Sequence, residues 1–289
     1  MNVLELENVS YVYGADTPYR MDALKNISFG FEKGKITGLI GHTGSGKSTL
    51  AQILNGLIKP HSGRVLLNGK DIWNEPKKIR EVRFKVGLVM QYPEYQLFDD
   101  TVKSDIGFAL RNMELSPDEI EERTSEAMKF VGLSESLYEK SPFELSGGQK
   151  RRVAIAGVVA MRPEVLVLDE PAAGLDPKGR TEILSHLREY QKEQNATVIL
   201  VSHSMEDMAN YCDNIVVLNK SELFLQGTTR EVFSHAKELA QVGLDIPQIA
   251  HIAEMLKNRG IRLEGELYTV EGVKKAILKL IGGEGCVQC

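Results

Sequence analysis

The apolar run Ile36–Ile40 breaks into Gly41-His42-Thr43-Gly44-Ser45-Gly46-Lys47-Ser48 and then into Thr49-Leu-Ala-Gln-Ile-Leu. A buried strand, a glycine-rich turn and a helix start in that order leave few folds open, because the turn must sit at the edge of a sheet with its amides free. Glycines let successive backbone N–H groups converge on one anionic group, and the positive helix end together with Lys47 favours its charge. The group these residues suit is a nucleotide phosphate, with Ser48 offering its hydroxyl to Mg²⁺. Taken alone, this loop leaves kinase, GTPase and ATPase open.

A second strand, Val165–Leu168, ends in the adjacent carboxylates Asp169 and Glu170. Four consecutive apolar residues predict a central parallel strand buried on both faces. Beside the glycine loop the two carboxylates divide their work: Asp169 holds magnesium, and Glu170 polarises the attacking water as general base. Pro171 ends the strand, and Gly174-Leu175-Asp176-Pro177 turns into the next helix. The strand Thr197–Ser202 delivers His203 to the same edge, where open α/β sheets bind ligands, which places it near a γ-phosphate. Strand Val86–Met90 likewise ends at Gln91, suited either to ligate Mg²⁺ or to position the water. Farther along, Leu145-Ser146-Gly147-Gly148-Gln149 reads as a second helix start for a phosphate.

With these motifs in place the chain resembles the ATP-binding-cassette ATPases over residues 3 to about 227. The stretches 41–48, Gln-Tyr-Pro-Glu-Tyr-Gln-Leu-Phe at 91–98 and 141–157 are most similar to energy-coupling factor transporter ATPases, and within them to the second of two paralogous subunits. The resemblance implies bound ATP and Mg²⁺, with Gly41, His42, Thr43, Gly44, Ser45, Gly46, Lys47, Ser48 and Thr49 around the phosphates. Tyr13 is the aromatic expected to stack on adenine, with Tyr11 two residues away able to take its place. Catalysis falls to Glu170, His203 and Gln91, and the metal to Ser48, Gln91 and Asp169. Ser146, Gly147, Gly148, Gln149 and Asp176 would act in trans, on the ATP of a second subunit. Ala172 departs from the family, where threonine is more familiar after Glu-Pro, and bears only on local packing.

The expected fold is α/β: a P-loop NTPase core over 1–227, interrupted by a helical subdomain at about 92–163, then a small α/β appendage at 228–289. Ser116-Pro117-Asp-Glu opens a helix in the insertion and Gly132 closes it, while Asn68-Gly69 marks a hairpin. In the appendage, Ile246, Ile249, Ile252, Ala253 and Leu256 share a helix face ended by Gly260, and Val273, Ala276, Ile277 and Leu280 repeat it after a strand-like link at Leu267–Val270. Such stripes serve core packing or a subunit contact.

Thirty-five basic against 40 acidic residues give a net charge of −5, too small an imbalance for a nucleic-acid surface. Lys150-Arg151-Arg152 reads as a helix face or a group near phosphates. The longest apolar stretch, Val153–Met161, falls well short of the roughly 20 residues that span a bilayer. Three cysteines make no disulfide framework, and Cys286 and Cys289 lack a second pair for zinc. Membrane attachment therefore comes from partners. By resemblance these are a paralogous ATPase subunit, an integral transmembrane component and small membrane substrate-binding components, which places the chain on the cytoplasmic face of the membrane as an importer's ATPase. A conventional or metal-ion importer shares the catalytic residues and remains the rival.

Overall fold

The computed structural model describes residues 1–281. Two sheets organise it. β1 (Asn2–Tyr13), β2 (Met21–Glu32), β4 (Ser62–Leu67) and β5 (Lys70–Asp71) form an antiparallel sheet in the order β2-β1-β4-β5. Asn68 and Gly69, both at positive φ, make the β4–β5 turn expected of Asn-Gly.

The second sheet carries the chemistry, in the order β10-β9-β3-β8-β7-β6. β3 (Ile36–Gly41), β6 (Val86–Val89), β7 (Val165–Asp169), β8 (Thr197–Val201) and β9 (Asn214–Asn219) run parallel, and β10 (Glu222–Thr228) closes the edge antiparallel to β9. Every residue of β3, β7 and β8 is buried, which is why their sequences read as unbroken apolar runs. The strand period of two still sorts them: Leu166, Leu168, Val198 and Leu200 enter one core, and Val165, Val167, Ile199 and Val201 the other.

The second of these cores lies between the sheets around α1 (Lys47–Leu54), whose Leu50, Ile53 and Leu54 are fully buried. The first lies under α6 (Pro177–Gln194), α7 (Met205–Tyr211) and the insertion. α2 (Ile79–Lys85) leads into β6. Between residues 92 and 163 the chain is helical, as expected, with α3 (Val102–Asn112), α4 (Pro117–Phe130) and α5 (Gly147–Val159). Ser116 and Glu119 form a capping box on α4, and Gly132 follows its end at φ 68°.

The appendage differs from expectation. Residues 229–281 are helical only: α8 (Thr229–Ser234), α9 (Ala236–Gln241), α10 (Gln248–Asn258) and α11 (Val270–Ile281). The strand-like link at Leu267–Val270 is instead the entry to α11, because the Thr269 hydroxyl accepts from the Gly272 N–H at 3.0 Å and turns the chain into a helix. Nor is the whole segment peripheral. Val232, Phe233, Leu239, Leu244 and Ile246 are buried in the cassette's own core. α10 and α11 lie at its margin, with Ala250 against the core and Ala253, Val273 and Ala276 buried, while Ile252, Met255, Leu278, Leu280 and Ile281 stay exposed. Cys286 and Cys289 lie outside the described residues.

Candidate active site

The parallel strands deliver their last residues to one edge: Gly41 from β3, Asp169 from β7, His203 just beyond β8 and Gln91 just beyond β6. At that edge lies a cavity of about 310 Å³ lined by Tyr13, Met21, Ala23, Thr43, Gly44, Gly46, Lys47, Ser48, Thr49, Gln91, Asp169, Glu170 and His203. Of the residues expected in cis, Gly41, His42 and Ser45 are the ones that do not line it.

The loop is shaped for an anion. Gly46 caps α1 at φ +105°, and a Cβ there would sit 2.3 Å from the Ala23 carbonyl oxygen, so no other residue fits. At Gly44 a Cβ would meet nothing within 4 Å, which leaves the backbone open to the cavity. Helices α3 to α8 each begin under a side-chain cap, from Thr101, Ser116, Ser146, Asp176, Ser204 and Thr228. α1, like α2, α9 and α10, has none, and its start lies on the cavity lining, so its first-turn N–H groups face an external acceptor there. The Ser45 hydroxyl is buried without a partner beside them. Lys47 is folded back, donating to the Gly41 carbonyl at 2.7 Å and the His42 carbonyl at 2.9 Å. Burial lowers its pKa, against the opposing pull of Asp169 and Glu170.

Opposite the loop, Asp169 is buried and Glu170 follows at φ 53°. Burial first, and then the Asp169 charge, push the Glu170 carboxyl from 4.5 up to about 7. Its Oε1 is buried with no hydrogen-bond partner and lies 3.6 Å from His203 Nε2. Burial, then Lys47, lowers the His203 pKa below its ordinary 6.5. The lowered imidazole and the raised carboxyl both shift toward their neutral forms, which weakens any ion pair across this contact. Behind His203, Arg180 holds Asp207 on α7 with both carboxylate oxygens at 2.7–3.1 Å.

Ser48, Gln91 and Asp169 also line an adjoining cavity of about 240 Å³. A hydroxyl, an amide oxygen and a carboxylate facing open space are hard oxygen donors with room for water, a set that fits Mg²⁺. Tyr13 lines the cavity mouth, with its hydroxyl 3.2 Å from Thr49 Oγ1. Tyr11 meets Tyr13 edge-on at 4.9 Å and His61 at 4.8 Å, outside the cavity lining. Of the two tyrosines, only Tyr13 is placed to meet a ligand.

Ser146, Gly147, Gly148, Gln149 and Asp176 do not line this cavity. Ser146 caps α5 in a box with Gln149, and its hydroxyl, accepting from the Gln149 N–H, keeps its own proton free to donate. Asp176 caps α6 through the Gly179 N–H at 2.7 Å. After Gln149, Arg151 and Arg152 are engaged by carboxylates: Arg152 pairs with Glu182 at 2.7 Å, and Arg151 grips Glu94 at 2.9 and 3.1 Å with only 5 % of its side chain exposed. That pair joins the segment after Gln91 to α5. Sequence reasoning missed it because the partners lie 57 positions apart in different motifs.

The ABC transporter family matches residues 24–173. The chain is 51 % identical over 280 residues to the energy-coupling factor transporter ATP-binding protein EcfA2 of Caldanaerobacter subterraneus subsp. tengcongensis, covering 97 % of this chain and 98 % of that protein. The EcfA2 of Clostridium tetani is 50 % identical over 282 residues, with the same coverage. Among solved structures, cbiO1 from Clostridium perfringens, described as part of the ABC transporter complex cbiONQ, superposes with a TM-score of 0.73 at 43 % identity, over 88 % of this chain and 99 % of that one. A dimeric ATP-binding cassette bound to ADP and Pi superposes at 0.72 with 28 % identity, over 78 % and 99 %.

Proposed function

Because the chain belongs to the ABC transporter family of ATPases, we propose that it is the ATP-hydrolysing subunit that energises an energy-coupling factor transporter for vitamins or related micronutrients. The observation that carries the chemistry is Glu170, a carboxyl pushed up to about 7 with an unpartnered oxygen beside an uncapped, glycine-opened helix start.

The loop amides of residues 43–48 and the Lys47 ammonium bind the triphosphate, and Lys47 exchanges its two backbone carbonyl acceptors for phosphate oxygens. Tyr13 stacks on the adenine. Ser48, Gln91 and Asp169 would hold Mg²⁺, which supplies charge neutralisation on the phosphate oxygens. Gln91 orients the attacking water, Glu170 Oε1 accepts its proton, and the His203 ring steadies the γ-phosphate.

Ser146, Gly147, Gly148, Gln149 and Asp176 act on the ATP of a second subunit, a reading supported by their absence from this chain's own cavity. The preferred second subunit is a paralogue. The exposed aromatic rings Tyr92, Tyr95 and Phe98, directly after Gln91, receive an integral membrane component, and small membrane substrate-binding proteins complete the importer. Among the described residues no helix is long and apolar enough to cross a membrane, so the chain is held at the cytoplasmic face through these partners.

Purification of the membrane complex from the native host tests the assignment. A second ATPase, one transmembrane component and small membrane binding proteins should co-isolate. Recovery with a conventional pair of permeases and a solute-binding lipoprotein would overturn it.

A further inference from the structure

His42 does not line the nucleotide cavity. Its ring turns instead to the backbone of the segment after α9, where Nε2 meets the Val242 carbonyl oxygen. A carbonyl can only accept, so Nε2 carries the hydrogen and donates.

The acceptor is firmly placed. Val242 ends α9 in a turn closed by hydrogen bonds from the Gly243 N–H to the Ala240 carbonyl and from the Leu244 N–H to the Leu239 carbonyl, both 2.9 Å. Leu239, Leu244 and Ile246 anchor that turn in the cassette core. Gly243 itself is at φ +65°, and a Cβ there would lie 3.1 Å from both Cε1 and Nε2 of His42. The left-handed backbone there suits glycine, and the imidazole occupies the space a side chain would enter.

On its other side the same residue shapes the loop. The His42 carbonyl accepts from the Ser45 N–H at 3.1 Å and from Lys47 Nζ at 2.9 Å. One residue thus joins a core-anchored turn, the bend of the glycine loop and the phosphate-binding lysine. A second tie runs nearby, from the first N–H of α10, at Gln248, to Glu206 Oε1 at 3.3 Å, close behind His203.

We propose that His42 is a positioning residue for ATP binding: its Nε2–H hooks the phosphate loop onto the Val242 carbonyl, so that the loop is already in its phosphate-ready shape before nucleotide arrives. The inference rests on the loop binding ATP, and it assigns to the chain beyond residue 228 a part in the nucleotide site.

One net hydrogen bond corresponds to a change in affinity of about two- to tenfold. The full-length chain is tested in two ways, by titration with MgATP and by amide hydrogen exchange over residues 43–48 without nucleotide. His42→Leu should raise the MgATP Kd about two- to tenfold and speed exchange in the loop. His42→Gln, which retains an N–H at similar reach, should restore both. Gly243→Ala crowds the ring from outside the loop; it should reproduce the His42→Leu effect and add nothing to it in the double variant. Should Gly243→Ala fail to fold, the His42→Leu and His42→Gln pair decides alone. Wild-type affinity and exchange in His42→Leu, no recovery in His42→Gln, or full additivity in the double variant would each overturn the proposal. An unaltered chain that fails to bind MgATP would instead strike the reading beneath it.

Discussion

Replacing Glu170 by glutamine keeps the shape of the side chain and removes its titration, so one variant tests both the general-base role and the burial that tunes it. The folded carboxyl titrates at about 7 against 4.5 for the ordinary group, so the native state binds the proton more tightly than the unfolded chain does. Below pH 4.5 both states are protonated and the group costs nothing. As pH rises from 4.5 the unfolded chain ionises first and stability drains away, until above about 7 both states are ionised and the loss is constant. At roughly 1.4 kcal/mol per tenfold difference in proton affinity, that loss is about 3 kcal/mol. Glu170→Gln should therefore stabilise the nucleotide-free protein by about 3 kcal/mol at pH 8 and by almost nothing at pH 4.5, read from urea unfolding at the two pH values. Over the same range wild-type turnover should climb as the carboxyl ionises near pH 7, whereas the variant should lose roughly 10²–10⁴-fold of rate while still binding ATP. An equal stability change at both pH values would refute the burial argument. Normal ATPase activity in the assembled variant would refute the general base.

Gly148→Asp should leave the MgATP affinity of the isolated chain unchanged and abolish hydrolysis only after assembly; a folded monomer that loses nucleotide binding would contradict the in-trans reading. Glu94→Gln leaves the Arg151 guanidinium buried without its counter-charge, and thermal or urea unfolding should record a loss of up to about 3–5 kcal/mol. Removal of residues 248–289 should yield a folded, ATP-binding chain that no longer pairs with its paralogue in nucleotide-free buffer. Burying Ile252, Met255, Leu278, Leu280 and Ile281 at a contact stabilises it by about 1.5–3 kcal/mol each, so an undiminished heterodimer in sedimentation would show that α10 and α11 only cover their own cassette. A cut at residue 228 is the wrong test, since it strips Val232, Phe233, Leu239, Leu244 and Ile246 from the core.

Features governed by neighbours a few positions apart were legible in the sequence. The strands ending at Gly41 and Asp169, the loop closing on Lys47, the helix start at Ser116-Pro117 and the Asn68-Gly69 hairpin all follow from local spacing, turn chemistry and unbroken apolar runs. Those rules also placed Gln91, Asp169 and His203 at one sheet edge, because parallel strands share a carboxyl end. What only the tertiary structure decided depends on residues far apart in the chain. Sequence named Tyr13 by resemblance but left Tyr11 able to replace it, since alternate positions of one strand differ only in what the folded sheet puts before them. It read Arg151 as part of a helix face or a group near phosphates, and Glu94, 57 positions away, makes it half of a buried ion pair. It set residues 228–289 apart from the cassette, yet the core extends to Ile246 and the Val242 carbonyl reaches His42 across 200 positions. It took Leu267–Val270 for a strand-like link, where a single hydroxyl acceptor on Thr269 starts a helix. Local periodicity specifies elements and their ends; which side chains meet, and which uncapped helix start opens onto the cavity, is settled only when the sheets and helices pack.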